Sequence, residues 1–172
     1  MEQALRISGL HPCQTGTMLF DGDLLRTLHP LATREAGDDL GLKIRVATRT
    51  EIDFVDEILL VKGDSEDHRG DKLEFAGEIL SIVEEFDHLY EQFDDRVRKD
   101  ALATAYRGKG TRLLNRSWWS PRAVVCFAYA LYYAGPRDPE LIGSFVSSIF
   151  GRPTYQLMRW AYHFFSTKRG PF

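Results

Sequence analysis

The chain has 172 residues, of which 44% are hydrophobic and 27% charged, and its formal net charge is −3. That is enough apolar material to bury a full core, in one large domain or two small ones, and it excludes the low-complexity and disordered classes. The longest apolar run, residues 123–134, is shorter than the ~20 residues a membrane-spanning helix needs, and MEQALRISGL lacks the apolar region of a signal peptide, so a cytoplasmic protein with no membrane association is expected. Two cysteines, Cys13 and Cys126, form no disulfide framework.

The charge is distributed unevenly. Residues 1–95 carry 22 Asp and Glu against 9 Lys and Arg, and residues 96–172 carry 3 against 13. A basic segment attracts polyanions through counterion release, whereas an acidic one repels them. The simpler alternative is that the two parts neutralise each other across an internal interface.

Along the chain, residues 1–17 read as a loop-rich lead with one short strand at most. Leu24, Leu25, Leu28 and Leu31 favour a helix that Pro30 ends or bends, and Gly37 and Gly41 mark a turn. Residues 42–48, LKIRVAT, alternate Leu42, Ile44 and Val46 with Lys43 and Arg45, which is the period of a half-exposed strand. Residues 52–61 fit either a helix bearing Ile52, Val55, Ile58 and Leu59 or a second strand at 58–61. GDSEDHRGD, residues 63–71, is a loop. A long helix over about 72–99 follows, because Ala76, Ile79, Val83, Phe86, Tyr90, Phe93 and Val97 alternate spacings of three and four over three heptads. That seam packs either on the rest of the chain or, through Ala76, Ile79, Val83, Phe86, Tyr90 and Phe93, on a second copy in a homodimer. Gly108 and Gly110 then suggest a flexible basic connection.

Three helices with short turns are expected after it, over 121–134, 139–150 and 154–166. Ser120 and Asp138 are cap residues, each followed by a proline at the first helical position. Leu141, Ile142, Phe145, Val146 and Ile149 would form the buried stripe of the second helix, and Leu157, Trp160, Ala161 and Phe164 that of the third. A tight hinge, Gly151-Arg152-Pro153-Thr154, joins these two, as in a helix-turn-helix. The fold class expected is therefore α+β but mostly helical. An acidic regulatory or dimerisation domain over 1–107, with one or two strands, would precede a basic three-helix domain over 117–172.

Residues 117–166 resemble the helical segment that precedes the HNH nuclease domain in many bacterial restriction-endonuclease-type proteins. Trp119-Ser120 matches its start, Asp138-Pro139-Glu140-Leu141 its second helix, Phe150-Gly151-Arg152-Pro153 its turn, and Leu157, Ala161 and Phe164 the apolar frame of its last helix. Trp160 departs from the pattern, standing where that family often has a basic residue. The resemblance implies association with DNA. It does not imply cleavage, since no nuclease-like segment follows before Phe172.

The residues expected to contact double-stranded DNA are Arg152, Thr154, Gln156, Arg159, His163, Lys168 and Arg169. Side chains early in a second helix reach base edges and flanking cations hold phosphates, with one of Arg152 and Arg159 entering the groove and the other gripping the backbone. A solvated helix face is the plain alternative. No catalytic residue, metal site or cofactor is expected: the five histidines are scattered, Asp21, Asp23, Asp56, Glu57 and Lys62 lack convincing spacing, and Gly108-Lys109-Gly110-Thr111 lacks the spacing of a phosphate loop. The function these features favour is a DNA-binding regulator or accessory of a bacterial or phage restriction or defence system. The competing reading is a protein-interaction module, or a DNA mimic acting through ordered carboxylates near 72–95, and an enzyme ranks below both.

Overall fold

The computed structural model describes residues 1–7, 18–28, 38–51, 73–136 and 138–167. Among these residues every regular element is a helix: α1 (Glu2–Leu5), α2 (Gly22–Thr27), α3 (Asp38–Ala47), α4 (Leu73–Glu85), α5 (Asp87–Tyr90), α6 (Asp95–Arg116), α7 (Pro121–Ala134), α8 (Pro139–Ile149) and α9 (Arg152–Thr167). The chain divides into two compact units, residues 1–101 and 102–172, with the division falling inside α6.

The α+β expectation is thus overturned, and residues 42–48 show why. They lie in and just past α3, whose first turn carries Asp38 and Asp39 where the exposed amides favour acids. Ile44 and Val46 are buried together with Lys43, whose aliphatic stem lies along the apolar face while its amine reaches back to Asp39 at 3.4 Å. A seven-residue alternation is too short to separate the two periods, and a strand needs a partner to hold its backbone groups. The alternative second strand at 58–61 lies outside the described residues.

The expected long helix over 72–99 is interrupted twice. Phe86 leaves helical geometry at φ −98° and ψ 17° between α4 and α5, and residues 91–94 separate α5 from α6. Asp94 caps the start of α6, its side chain accepting from the Arg96 amide at 2.8 Å. The apolar seam nonetheless folds inward: Ile79, Val83, Phe86, Tyr90 and Val97 are buried in the protomer itself, with Phe93 half-buried. Of the side chains expected to form a homodimer seam, Ile79, Val83, Phe86 and Tyr90 therefore serve the first unit's own core beside Leu5, Ile44 and Ile82. The Tyr90 hydroxyl donates to the Leu5 carbonyl at 2.8 Å. Ion pairs lie over this core, Arg45 with Glu85 at 2.7 Å, Arg98 with Asp87 at 2.6 Å, and Arg6 with Asp100.

The second unit begins within α6, which runs unbroken through Gly108 and Gly110, so no flexible connection stands there. Gly110 has a packing reason instead: a β-carbon on it would lie 3.0 Å from the Phe127 ring. Phe127, Leu114, Ala123, Ala130, Leu141 and Tyr155 form the core shared by α6, α7, α8 and α9. α7 starts at Ser120, whose hydroxyl accepts from the Ala123 amide at 3.3 Å, and ends at Gly135 with φ +74°. Asp138 caps α8 by accepting from the amides of Glu140 and Leu141 at 2.9 and 3.1 Å.

Candidate nucleic-acid interface

The turn between α8 and α9 is set by Gly151 at φ +92°, a conformation glycine adopts without steric cost. A β-carbon there would approach the Trp118 carbonyl to 2.7 Å. That carbonyl accepts from the Arg152 amide at 2.8 Å, and the Trp119 indole N–H donates to the Ile149 carbonyl at 2.9 Å. Both tryptophan rings remain exposed; their backbone and N–H groups anchor the turn.

From this turn α9 emerges with Arg152, Thr154 and Gln156 exposed. Arg152, Gln156, Arg159 and His163 are spaced four, three and four residues apart and so form one row along the helix. Arg159 is half-buried, its guanidinium 5.9 Å from the centre of the Tyr155 ring, and His163 is exposed. Thr154 lies off the row. Lys168 and Arg169 lie outside the described residues.

The inward face of α9 differs from the expected stripe. Tyr155 is buried against Phe127, with ring centres 5.5 Å apart, and its hydroxyl lies 2.8 Å from that of Thr111. Met158 follows it inward against Gly143. Leu157 and Trp160 are 65% and 63% exposed and Phe164 is also exposed. The polar row therefore shares the outer half of α9 with a parallel apolar row. A helix with apolar residues on two sides leaves the choice of stripe to its neighbours, and here the ring of Tyr155 and the hydroxyl of Thr111 decide it.

The electrostatics of the unit favour an anionic ligand. Residues 102–172 contain ten Lys and Arg and only two acids, Asp138 and Glu140. Arg107 takes both of them, Asp138 at 3.4 Å and Glu140 more closely. Burial lowers the Arg107 pKa, but the hydrogen bond to Glu140 and the fields of both carboxylates outweigh it, so the guanidinium is held charged. Arg116, Arg122 and Arg152 are exposed on the same unit. Arg116 and Arg122 are absent from the expected contact set, although the charge count alone pointed to the segment holding them.

Burial pushes the Cys126 thiol up, which disfavours the reactive thiolate. Among the described residues no three His, Cys, Asp or Glu side chains gather as metal ligands would, and no helix is long and apolar enough to cross a membrane. Compared with known protein families, curated proteins and solved structures, the chain matches none.

Proposed function

We propose that residues 102–172 bind duplex DNA, with α9 as the helix that meets the groove, and that the chain acts in the cytoplasm as a regulator or accessory of a restriction or defence system. One observation carries the DNA reading: a row of Arg152, Gln156, Arg159 and His163 lies along α9 in a unit whose only two carboxylates are both engaged by Arg107. Such a surface attracts phosphate, and the helix start adds the positive end of its dipole. The restriction or defence setting comes from the resemblance of residues 117–166 alone. Arg152, exposed at the first position of α9, is suited to hold phosphate, while Gln156, one turn further and exposed, is suited to read a base edge. Arg159, held over Tyr155, supports the row from behind. The DNA-mimic alternative is weaker, because within residues 84–95 Asp87 and Asp95 are paired with Arg98 and Lys99.

The test is a gel shift of the full chain with random duplex at two salt concentrations. Arg152→Ala should weaken binding to all sequences alike and reduce the salt slope by about one. Gln156→Ala should also relax preference at one base position, costing roughly 1–3 kcal/mol there. Absence of salt-dependent binding in the parent protein would refute the reading.

A further inference from the structure

α8 turns Leu141 and Phe145 toward the core but leaves other aliphatic residues outside. Ser144, Ser147 and Ser148 are buried, while Ile142, Val146 and Ile149 are exposed. The serine face is comfortable inside: Ser147 Oγ donates to the Ser144 carbonyl at 3.2 Å and Ser148 Oγ to the Phe145 carbonyl at 2.6 Å. Small residues also let neighbouring helices approach closely. The outer face is not comfortable in water, because burial of apolar area is the main favourable term in folding and Ile142, Val146 and Ile149 are left out.

That outer face continues onto α9. Gly143 of α8 meets Met158 of α9, a β-carbon at Gly143 lying 3.0 Å from the Met158 sulfur. Val146 and Phe150 follow Gly143 three and seven residues on, so they border the same seam, and Leu157, Ala161 and Phe164 border it from α9. Trp160 stands beside this row with its ring stacked on Phe164, centres 5.4 Å apart. Phe150, Leu157 and Trp160 are 67%, 65% and 63% exposed, with Val146 and Phe164 also exposed. A patch of this many large apolar side chains compares with the ~800 Å² each partner contributes to a standard interface and is more than monomers usually show. No charged residue interrupts either row.

We propose that the α8–α9 face is the interface of a homodimer, formed by the same face of two protomers about a two-fold axis. A second copy fits for two reasons. The area is what one side of a stable dimer requires, and a surface without charge has nothing with which to select a partner of opposite sign, whereas an identical apolar face complements it. The cationic row of α9 lies to one side of the apolar row, outside the contact. This inference does not rest on the DNA reading and is tested without DNA.

The test is sedimentation equilibrium of the full chain over a wide concentration range. The parent is expected to have twice the mass of one chain and to melt at higher temperature as concentration rises. Trp160→Glu and Val146→Glu place a carboxylate in the contact and should each raise the dimer dissociation constant by ~100-fold or more, with unchanged helical circular dichroism because both positions are exposed in the protomer. Asn115→Glu, on the exposed side of α6, should leave association unchanged. A parent that stays monomeric throughout, as it would if the face served a different protein or another part of this chain, overturns the proposal. So does a dimer that neither variant weakens.

Discussion

The two units treat apolar side chains in opposite ways. In residues 1–101 Ile44, Val46, Ile79, Ile82, Val83, Phe86, Leu89, Tyr90 and Val97 turn inward, and ion pairs cover the surface around them. In residues 102–172 the core is small, and all the exposed large apolar side chains among the described residues except Met1 and Leu19 lie between Trp118 and Phe164. The charges are opposed as well, the first unit acidic and the second basic. A unit that hides its apolar surface and pairs its charges is built mainly for its own stability. The exposed apolar rows and cations of the other are the surfaces on which the proposed dimer and DNA contacts rest.

The strongest challenge to this contrast is truncation at matched positions. Ile82, fully buried in the first unit, should cost about 2–5 kcal/mol on replacement by Ala. Leu157→Ala in the second unit should change protomer stability by less than ~0.5 kcal/mol. Urea denaturation of both variants in a Trp160→Glu background, where association does not contribute, checks this, and a comparable loss from Leu157→Ala would erase the distinction. In the same background the serine-lined inner face of α8 gives an expectation of intermediate size. Ser148→Ile should destabilise by about 1–3 kcal/mol through overpacking, while Val146→Ser should stay within ~0.5 kcal/mol. The reverse result would mean that the aliphatic side faces in.

A smaller effect separates the units by pH. Burial raises the Tyr90 pKa, only partly opposed by Arg98, because the hydroxyl that donates to Leu5 is poorly placed to ionise. The folded state thus retains the phenolic proton more tightly than the unfolded chain does. The resulting stabilisation is whole below the ordinary phenol value of ~10 and is lost as pH rises through the higher folded value. Tyr90→Phe should cost about 1 kcal/mol at neutral pH and flatten the decline above pH ~10, as denaturation at two pH values would reveal.

Much of the second unit could be read from residues alone. Ser120-Pro121 and Asp138-Pro139 carry their own start signals, Gly135 and Gly151 their own stops, and the three helices stand within two residues of the expected bounds. Such signals are local, since a cap satisfies amides two or three residues away. The α3 segment was not legible in the same way: its short alternation fitted strand and helix equally until the stem of Lys43 joined the buried face. The polar row of α9 was visible as exposed cations and amides, yet its apolar neighbours were assigned to the wrong side.

Composition and spacing therefore sufficed for the opposite charges of the two halves, the ends of α7, α8 and α9, and the glycine turn at 151, because each depends on counts or on neighbours in the chain. Which face of α8 and α9 turns inward was settled elsewhere, by Tyr155 meeting Phe127 and Thr111, by Met158 meeting Gly143, and by three serines small enough for close helix packing. The two breaks near Phe86 and Asp94 belong to the same class. Packing joins residues tens of positions apart, and where a helix offers two apolar sides no periodicity along the chain distinguishes the one that meets a neighbour from the one left outside.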